Sequence, residues 1–265
     1  MYEEMYNMKH TPFLNNIPVD ALYIDELEET IGRLQYAAQN LLFAVLTAGV
    51  GCGKTTAIRK FVSTLDDTKT KVLYISDSKL TPRWFYNGML EQLGVEGKFY
   101  RGDAKKQLHQ QLELIRGMHH KNVVTVVDEA HLLNKEMLEE IRFLLNYKMD
   151  SMNPLSLILV GQNELWQKLN LEYLMAVRQR IDLRCNLAPY DRSQTEKYIQ
   201  CHLAYAGGNT EIFTDAAIDA IYDYSNGAAR AINKACTQSL LTGAQLGKKL
   251  IDDRLVRQVI ESEMS

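Results

Sequence analysis

The stretch Leu41 to Thr56, LLFAVLTAGVGCGKTT, constrains the fold of this chain more than any other. Its apolar run, Leu41 to Leu46, has the length and composition of a buried strand. A turn carrying Gly49, Gly51 and Gly53 follows, and Lys54, Thr55 and Thr56 open a helix. Glycines let successive backbone N–H groups approach an anion closely, and a helix N-terminus adds partial positive charge. Strand, glycine turn, Lys-Thr and helix in this order make a P-loop. Gly49, Val50, Gly51, Cys52, Gly53, Lys54, Thr55 and Thr56 are therefore expected to cradle the phosphates of ATP. Lys54 should reach the β- and γ-phosphates, and the Thr55 hydroxyl should sit on Mg²⁺. One position departs from the pattern: Ala48 stands six before the lysine, where glycine is usual. Either the turn is shifted onto Gly49, or Ala48 takes a conformation that alanine tolerates.

A second motif, NVVTVVDEAH, runs from Asn122 to His131. Its Val/Thr run has the composition of a central buried strand, which delivers Asp128 and Glu129 to the carboxyl edge of a sheet. Following a P-loop, this is a Walker B strand: Asp128 would hold Mg²⁺, and Glu129 would polarise the attacking water. His131 completes the letters DEAH, but a two-lobed helicase needs a second motor domain, so His131 reads as a contact or surface residue. A further strand, Leu155 to Val160, ends in Gly161-Gln162-Asn163. An amide at that tip would lie beside the Walker B pair; Gln162 is the first choice to orient water or sense the γ-phosphate, and Asn163 the second. The alternative is an amide that caps the next helix.

The elements around these motifs alternate. Helices are expected at 25–39, 80–93 (with Pro82 in its first turn), 104–118, 134–147 and, as one piece, 165–180. Further strands are expected at Lys71–Ser76 and, as an outer strand, Ile181–Leu187. Residues 1–40 read as an irregular, largely extended lead-in and a helix; Phe13, Leu14 and Tyr23 either pack near the adenine or simply cover the domain edge. Ala188-Pro189-Tyr190-Asp191 marks a boundary, after which the pattern is helical only. Ser193 with Glu196 reads as a capping box, and Thr214 as a helix cap. The organisation is thus 1–40 lead-in, 41–188 α/β core with a five-stranded parallel sheet, and 189–265 helical lid.

Composition narrows the classes. A net charge of −3 over 265 residues argues against a generally basic nucleic-acid coat, though not against a local stripe. Arg83, Lys98, Arg101, Lys105, Lys106 and Lys79 are candidate phosphate contacts, or a solvated charged face. No apolar run approaches the roughly 18 residues of a membrane span, and the first ten residues lack a signal-peptide layout. The four cysteines, Cys52, Cys185, Cys201 and Cys236, have no metal-ligand spacing and read as free thiols of a cytoplasmic protein.

Together these features resemble the AAA+ division of P-loop ATPases. The resemblance implies that Arg180 is an arginine finger reaching a neighbouring subunit's γ-phosphate, with Arg178 as substitute, and that Arg230 is the lid arginine called sensor 2. An arginine there stabilises charge in the phosphoryl-transfer transition state. The segments Tyr6 to Phe13, Val127 to Leu133, Leu159 to Leu165 and Arg178 to Ile181 resemble the ExeA-type ATPases more narrowly. Full-length secretion members carry a membrane segment and a cell-wall-binding domain, neither of which is read in this sequence. Shorter modules resemble the transposition helpers of the TnsC, IstB and MuB kind. That likeness implies ATP-dependent assembly as a ring or filament on double-stranded DNA, and recruitment of a transposase. The alternative is a secretion-type ATPase acting on an envelope protein.

Overall fold

The structure is a computed structural model, and it describes residues 2–14, 17–18, 21, 27–76, 81–146 and 153–263. Tyr23, Lys79 and the ends of the helices expected at 25–39, 80–93 and 134–147 lie outside those residues. By their contacts the residues group into two compact units. One comprises Glu28–Ala48 and Ala57–Leu187; the other comprises Met1–Leu27, Gly49–Thr56 and Ala188–Ser265.

The first unit is an α/β layer structure. Strands β1 (Phe43–Ala48), β2 (Thr70–Ile75), β3 (Asn122–Val127), β4 (Ser156–Gly161) and β5 (Leu183–Leu187) form one parallel sheet in the order β2-β3-β4-β1-β5. β1 and β4 are buried throughout and β3 nearly so, which their Val/Leu/Ile runs require of strands covered on both faces. Phe43, Val45, Leu73, Ile75, Val123, Val127, Leu157 and Leu159 join one core with the helices α4 (Pro82–Gln92), α5 (Arg101–His119), α6 (Lys135–Leu145) and α7 (Asn163–Leu169). The alternate residues Ala44, Leu46, Val124, Val126, Ile158 and Val160 are equally buried, and α2 (Glu28–Asn40) runs against β1, β3, β4 and β5.

Two expectations for this unit are corrected. α5 begins at Arg101, so Gly102 and Asp103 are helical rather than loop. Residues 165–180 are not one helix: α7 stops at Asn170, a 3₁₀ turn follows at Glu172–Leu174, and α8 is Met175–Arg178. The break has a packing reason. Leu165, Leu169, Leu174 and Val177 are all buried, and an unbroken helix would carry Leu174 out of phase with the first two.

The second unit is helical: α1 (Tyr2–Met5), α9 (Arg192–Ala206), α10 (Asp215–Ser225), α11 (Ala229–Gln245) and α12 (Asp253–Glu263). The lead-in is not simply extended, since Tyr2, Tyr6, Met8 and Phe13 join the core of this unit. The N–H groups of Lys9 and His10 donate to Ala206 O, which satisfies a carbonyl at the end of α9. The capping box is also relocated: Asp191 and Gln194, not Ser193 and Glu196, exchange the reciprocal bonds that start α9. Thr214 caps α10 as expected. Among the described residues no helix is long and apolar enough to cross a membrane.

Candidate functional site

In the sheet unit the strand register brings the motifs to one edge. Val127 pairs with Ile75 on one side and with Leu159 on the other, while Thr47 pairs with Gly161 and Ala48 with Leu187. The chain therefore leaves β3 into Asp128-Glu129, β4 into Gln162 and β1 into Gly49 at the carboxyl edge, where ligand sites of parallel sheets form. Ala48 is the last residue of β1 and is buried. It is not among the positive-φ residues, so the position needs no glycine and the departure is one that alanine tolerates.

Asp128 is nearly buried, and its two oxygens have separate partners. Oδ1 accepts the Glu129 N–H at 2.8 Å, and Oδ2 accepts the Tyr74 hydroxyl at 2.5 Å. Burial, and then the hydrogen bond to Asp128, push the Tyr74 hydroxyl well above its ordinary range, so it stays a donor. Glu129 is left-handed, φ 50, which costs a non-glycine residue about 1 kcal/mol and persists only where the surroundings hold it. Several contacts do so. The Leu132 N–H donates to Glu129 O at 2.9 Å. Lys168 Nζ, from α7, donates to the carbonyls of His131 and Leu133 at 2.5 and 2.9 Å. The Gln162 N–H donates to His131 Nδ1 at 3.5 Å, so Glu129 Oε2, 3.4 Å from that nitrogen, gains no hydrogen bond from it. His131 is thus a contact residue between the acidic pair and the tip of β4. Gln162 occupies the N-cap position of α7 with no side-chain cap bond.

In the helical unit the loop Gly49–Gly53 turns through Gly51 (φ 74) and Gly53 (φ 84), both left-handed, with Val50 exposed at the tip. The Cys52 N–H donates to Gly49 O at 3.4 Å, and a turn with glycines at its left-handed positions lets successive N–H groups converge on an anion. Lys54 Nζ donates to Gly49 O at 3.0 Å. The start of α11 meets the loop: the Arg230 N–H donates to Gly51 O at 3.1 Å, and a Cβ on Gly51 would come 2.9 Å from Arg230 Cβ. Burial pushes the Cys52 thiol up against the pull of Lys54, which suits a quiet neutral side chain rather than a nucleophile. The Thr55 hydroxyl and the Asp128 carboxylate are hard oxygen donors, the type that fits Mg²⁺.

Arg178 and Arg180 lie in the segment leading to β5. Arg178 Nη1 donates to Asn170 Oδ1 at 2.9 Å, and the half-buried Arg180 follows α8 with its N–H on Val177 O at 3.1 Å. Phe13 is buried against His202 in parallel stacking at 5.2 Å, while Leu14 is exposed. Sequence reasoning missed Tyr74 and Lys168. Tyr74 is the outward member of an alternating edge strand, and nothing local marks it as a partner of Asp128.

A family model described as an AAA domain matches residues 37–169, half of the chain. General secretion pathway protein A of Aeromonas hydrophila is 31% identical over 260 residues, which is 95% of this chain and 46% of that protein. The chain therefore spans about half the length of this relative. Among solved structures, Cdc6p of Pyrobaculum aerophilum aligns with a TM-score of 0.72 at 18% identity, covering 94% of this chain and 69% of that one. Drosophila ORC bound to DNA gives 0.71 at 18%, covering 100% and 65%, and the RuvB Holliday junction branch migration motor of Thermotoga maritima gives 0.61 at 21%, covering 94% and 72%. These structures share the fold. With its P-loop strand, acidic pair and helical C-terminal region, the chain belongs to the AAA domain family of AAA+ P-loop ATPases.

Proposed function

We propose that this chain is a cytoplasmic, Mg²⁺-dependent ATPase of the secretion-pathway-A kind, whose nucleotide-driven self-assembly acts on a protein partner at the cell envelope. The observation that carries the hydrolytic reading is Glu129, held left-handed beside Asp128 at the carboxyl edge of β3. The likeness to general secretion pathway protein A over nearly the whole chain supports the partner class.

In this reading the N–H groups of Gly49, Val50, Gly51, Cys52, Gly53, Lys54, Thr55 and Thr56 bind the phosphates of ATP, and Lys54 moves from Gly49 O to the β- and γ-phosphates. Thr55 and Asp128 hold Mg²⁺, which when bound neutralises charge developing on the phosphates. Glu129 takes the proton of the attacking water, and Gln162 orients that water or senses the γ-phosphate. Arg230 acts as the sensor 2 arginine that stabilises charge near the γ-phosphate, and Arg180, or Arg178 in its place, reaches the γ-phosphate of a neighbouring subunit. The site is complete only in a homo-oligomer, ring or filament.

A second reading is a regulator that assembles on double-stranded DNA and recruits a transposase. Exposed basic residues on α5 favour it, but two of the candidates are already engaged: Arg101 and Lys105 both pair with the buried Glu140, at 3.3 and 3.4 Å.

The test is Glu129→Gln. Nucleotide binding should be retained while turnover falls by about 100-fold or more. Turnover at the wild-type rate would remove Glu129 from the role of base.

A further inference from the structure

The sheet unit displays large aromatic rings in the open. Phe99 is 71% exposed, Tyr100 67% and Trp84 53%. They form one group. The Arg83 guanidinium lies 4.7 Å from the Phe99 ring centre and 5.2 Å from that of Trp84, and Phe99 meets Tyr100 edge-on at 5.1 Å. Arg83 Nε is buried and has no hydrogen-bond partner among the described residues, and the guanidinium packs against the two rings.

The loop that presents Phe99 and Tyr100 is fixed from below. The buried Asn87 of α4 reads both sides of Lys98: its Oδ1 accepts the Lys98 N–H at 2.9 Å, and its Nδ2 donates to Lys98 O at 3.0 Å. Gly97 lies so close that a Cβ there would meet Asn87 at 2.9 Å. Exposed rings on a clamped loop lose little conformational entropy on binding, which is how a preformed contact surface differs from a floppy one. Beside the loop is a depression of about 340 Å³ lined by Lys98, Asp103, Lys106, Gln107 and Gln110.

We propose that Trp84, Phe99 and Tyr100, with Arg83, Lys98 and Lys106, form a stacking platform for an unpaired nucleic-acid strand. Flat rings beside lysines match flat bases joined by phosphates. The amides of Gln107 and Gln110 and the Asp103 carboxylate add edges suited to base polar groups, which a surface for phosphates alone does not need. A duplex hides its base faces, so the exposed rings would go unused on it. Charge also selects an anionic partner: Arg101 and Lys105 share the one carboxylate of Glu140, which leaves that cluster cationic, and Lys98 and Lys106 line the depression beside the loop. The platform is independent of the envelope partner named above.

The test uses the full chain with a labelled oligo(dT) and, separately, the matching duplex, in fluorescence anisotropy at two salt concentrations. Oligo(dT) should bind more tightly than duplex and should quench Trp84 emission. Trp84→Ala and Phe99→Ser should each weaken binding about five-fold or more. Lys98→Ala with Lys106→Ala should flatten the salt dependence. Circular dichroism melting should be unchanged in Phe99→Ser and Tyr100→Ser, which keeps the test open if Trp84→Ala does not fold. Equal binding of duplex with no effect of the ring substitutions would overturn the proposal. So would absent nucleic-acid binding, whether the ring substitutions alter sedimentation, marking a seat for a second copy, or alter capture of an envelope protein.

Discussion

His202 offers a stability test whose size can be worked from the structure. The imidazole is 2% exposed, stacked on Phe13 at 5.2 Å and packed 4.3 Å from the Tyr198 ring, with neither nitrogen hydrogen-bonded among the described residues. Burial pushes its pKa down to about 4 from an ordinary 6.5. The folded chain therefore keeps His202 neutral while the unfolded chain protonates it. The stability tied to the neutral ring is fully present above about pH 6.5 and is lost as pH falls towards 4. Integrating the two titrations gives a loss of about 2 kcal/mol at pH 5, rising to roughly 3 kcal/mol below pH 4. His202→Phe keeps a ring against Phe13 and removes the titration. Urea unfolding followed by circular dichroism at pH 7.5 and pH 5 should show the wild type losing about 2 kcal/mol more than the variant. Equal losses in the two chains would refute the reasoning, because other groups titrate in both.

Two glycines separate backbone strain from steric clash. Gly94 and Gly227 have nearly the same left-handed φ, 76 and 75, but a Cβ on Gly94 meets nothing within 4 Å, whereas one on Gly227 would lie 1.8 Å from Tyr190 O. Gly94→Ala should cost about 1 kcal/mol, while Gly227→Ala should cost several kcal/mol or prevent folding; equal unfolding midpoints would show that the clash is relieved without cost. Tyr74→Phe removes the donor to Asp128 Oδ2, and urea unfolding should show a loss of about 1 kcal/mol, with no change meaning that water replaces the hydroxyl.

Much of the fold is legible in the sequence because it depends on local signals. The buried strands are short Val/Leu/Ile runs, so β1, β3 and β4 are recognisable without their neighbours, and Thr214 announces α10 by chemistry alone. What escapes is pairwise and distant. Tyr74 and Asp128 are 54 residues apart and meet because β2 pairs with β3. His131 meets Gln162 because β4 lies beside β3. The break at Asn170 follows from which leucines the core can accept, and both sides of the break have helical spacing of their own. The choice of Asp191 over Ser193 for the capping box is a two-residue shift between chemically equivalent starts, and the sequence between them fits both.

In the proposed function the ATPase site is shared between subunits, with Glu129 from one and Arg180 from the next. Steady-state ATP turnover of mixed variants tests it most directly. Glu129→Gln and Arg180→Ala should each be inactive alone. Mixed together they should regain part of the wild-type turnover, because an Arg180→Ala subunit keeps its own base and can receive the arginine of a Glu129→Gln neighbour. Inactive variants that stay inactive when mixed, although sedimentation shows that they co-assemble, would contradict the shared site.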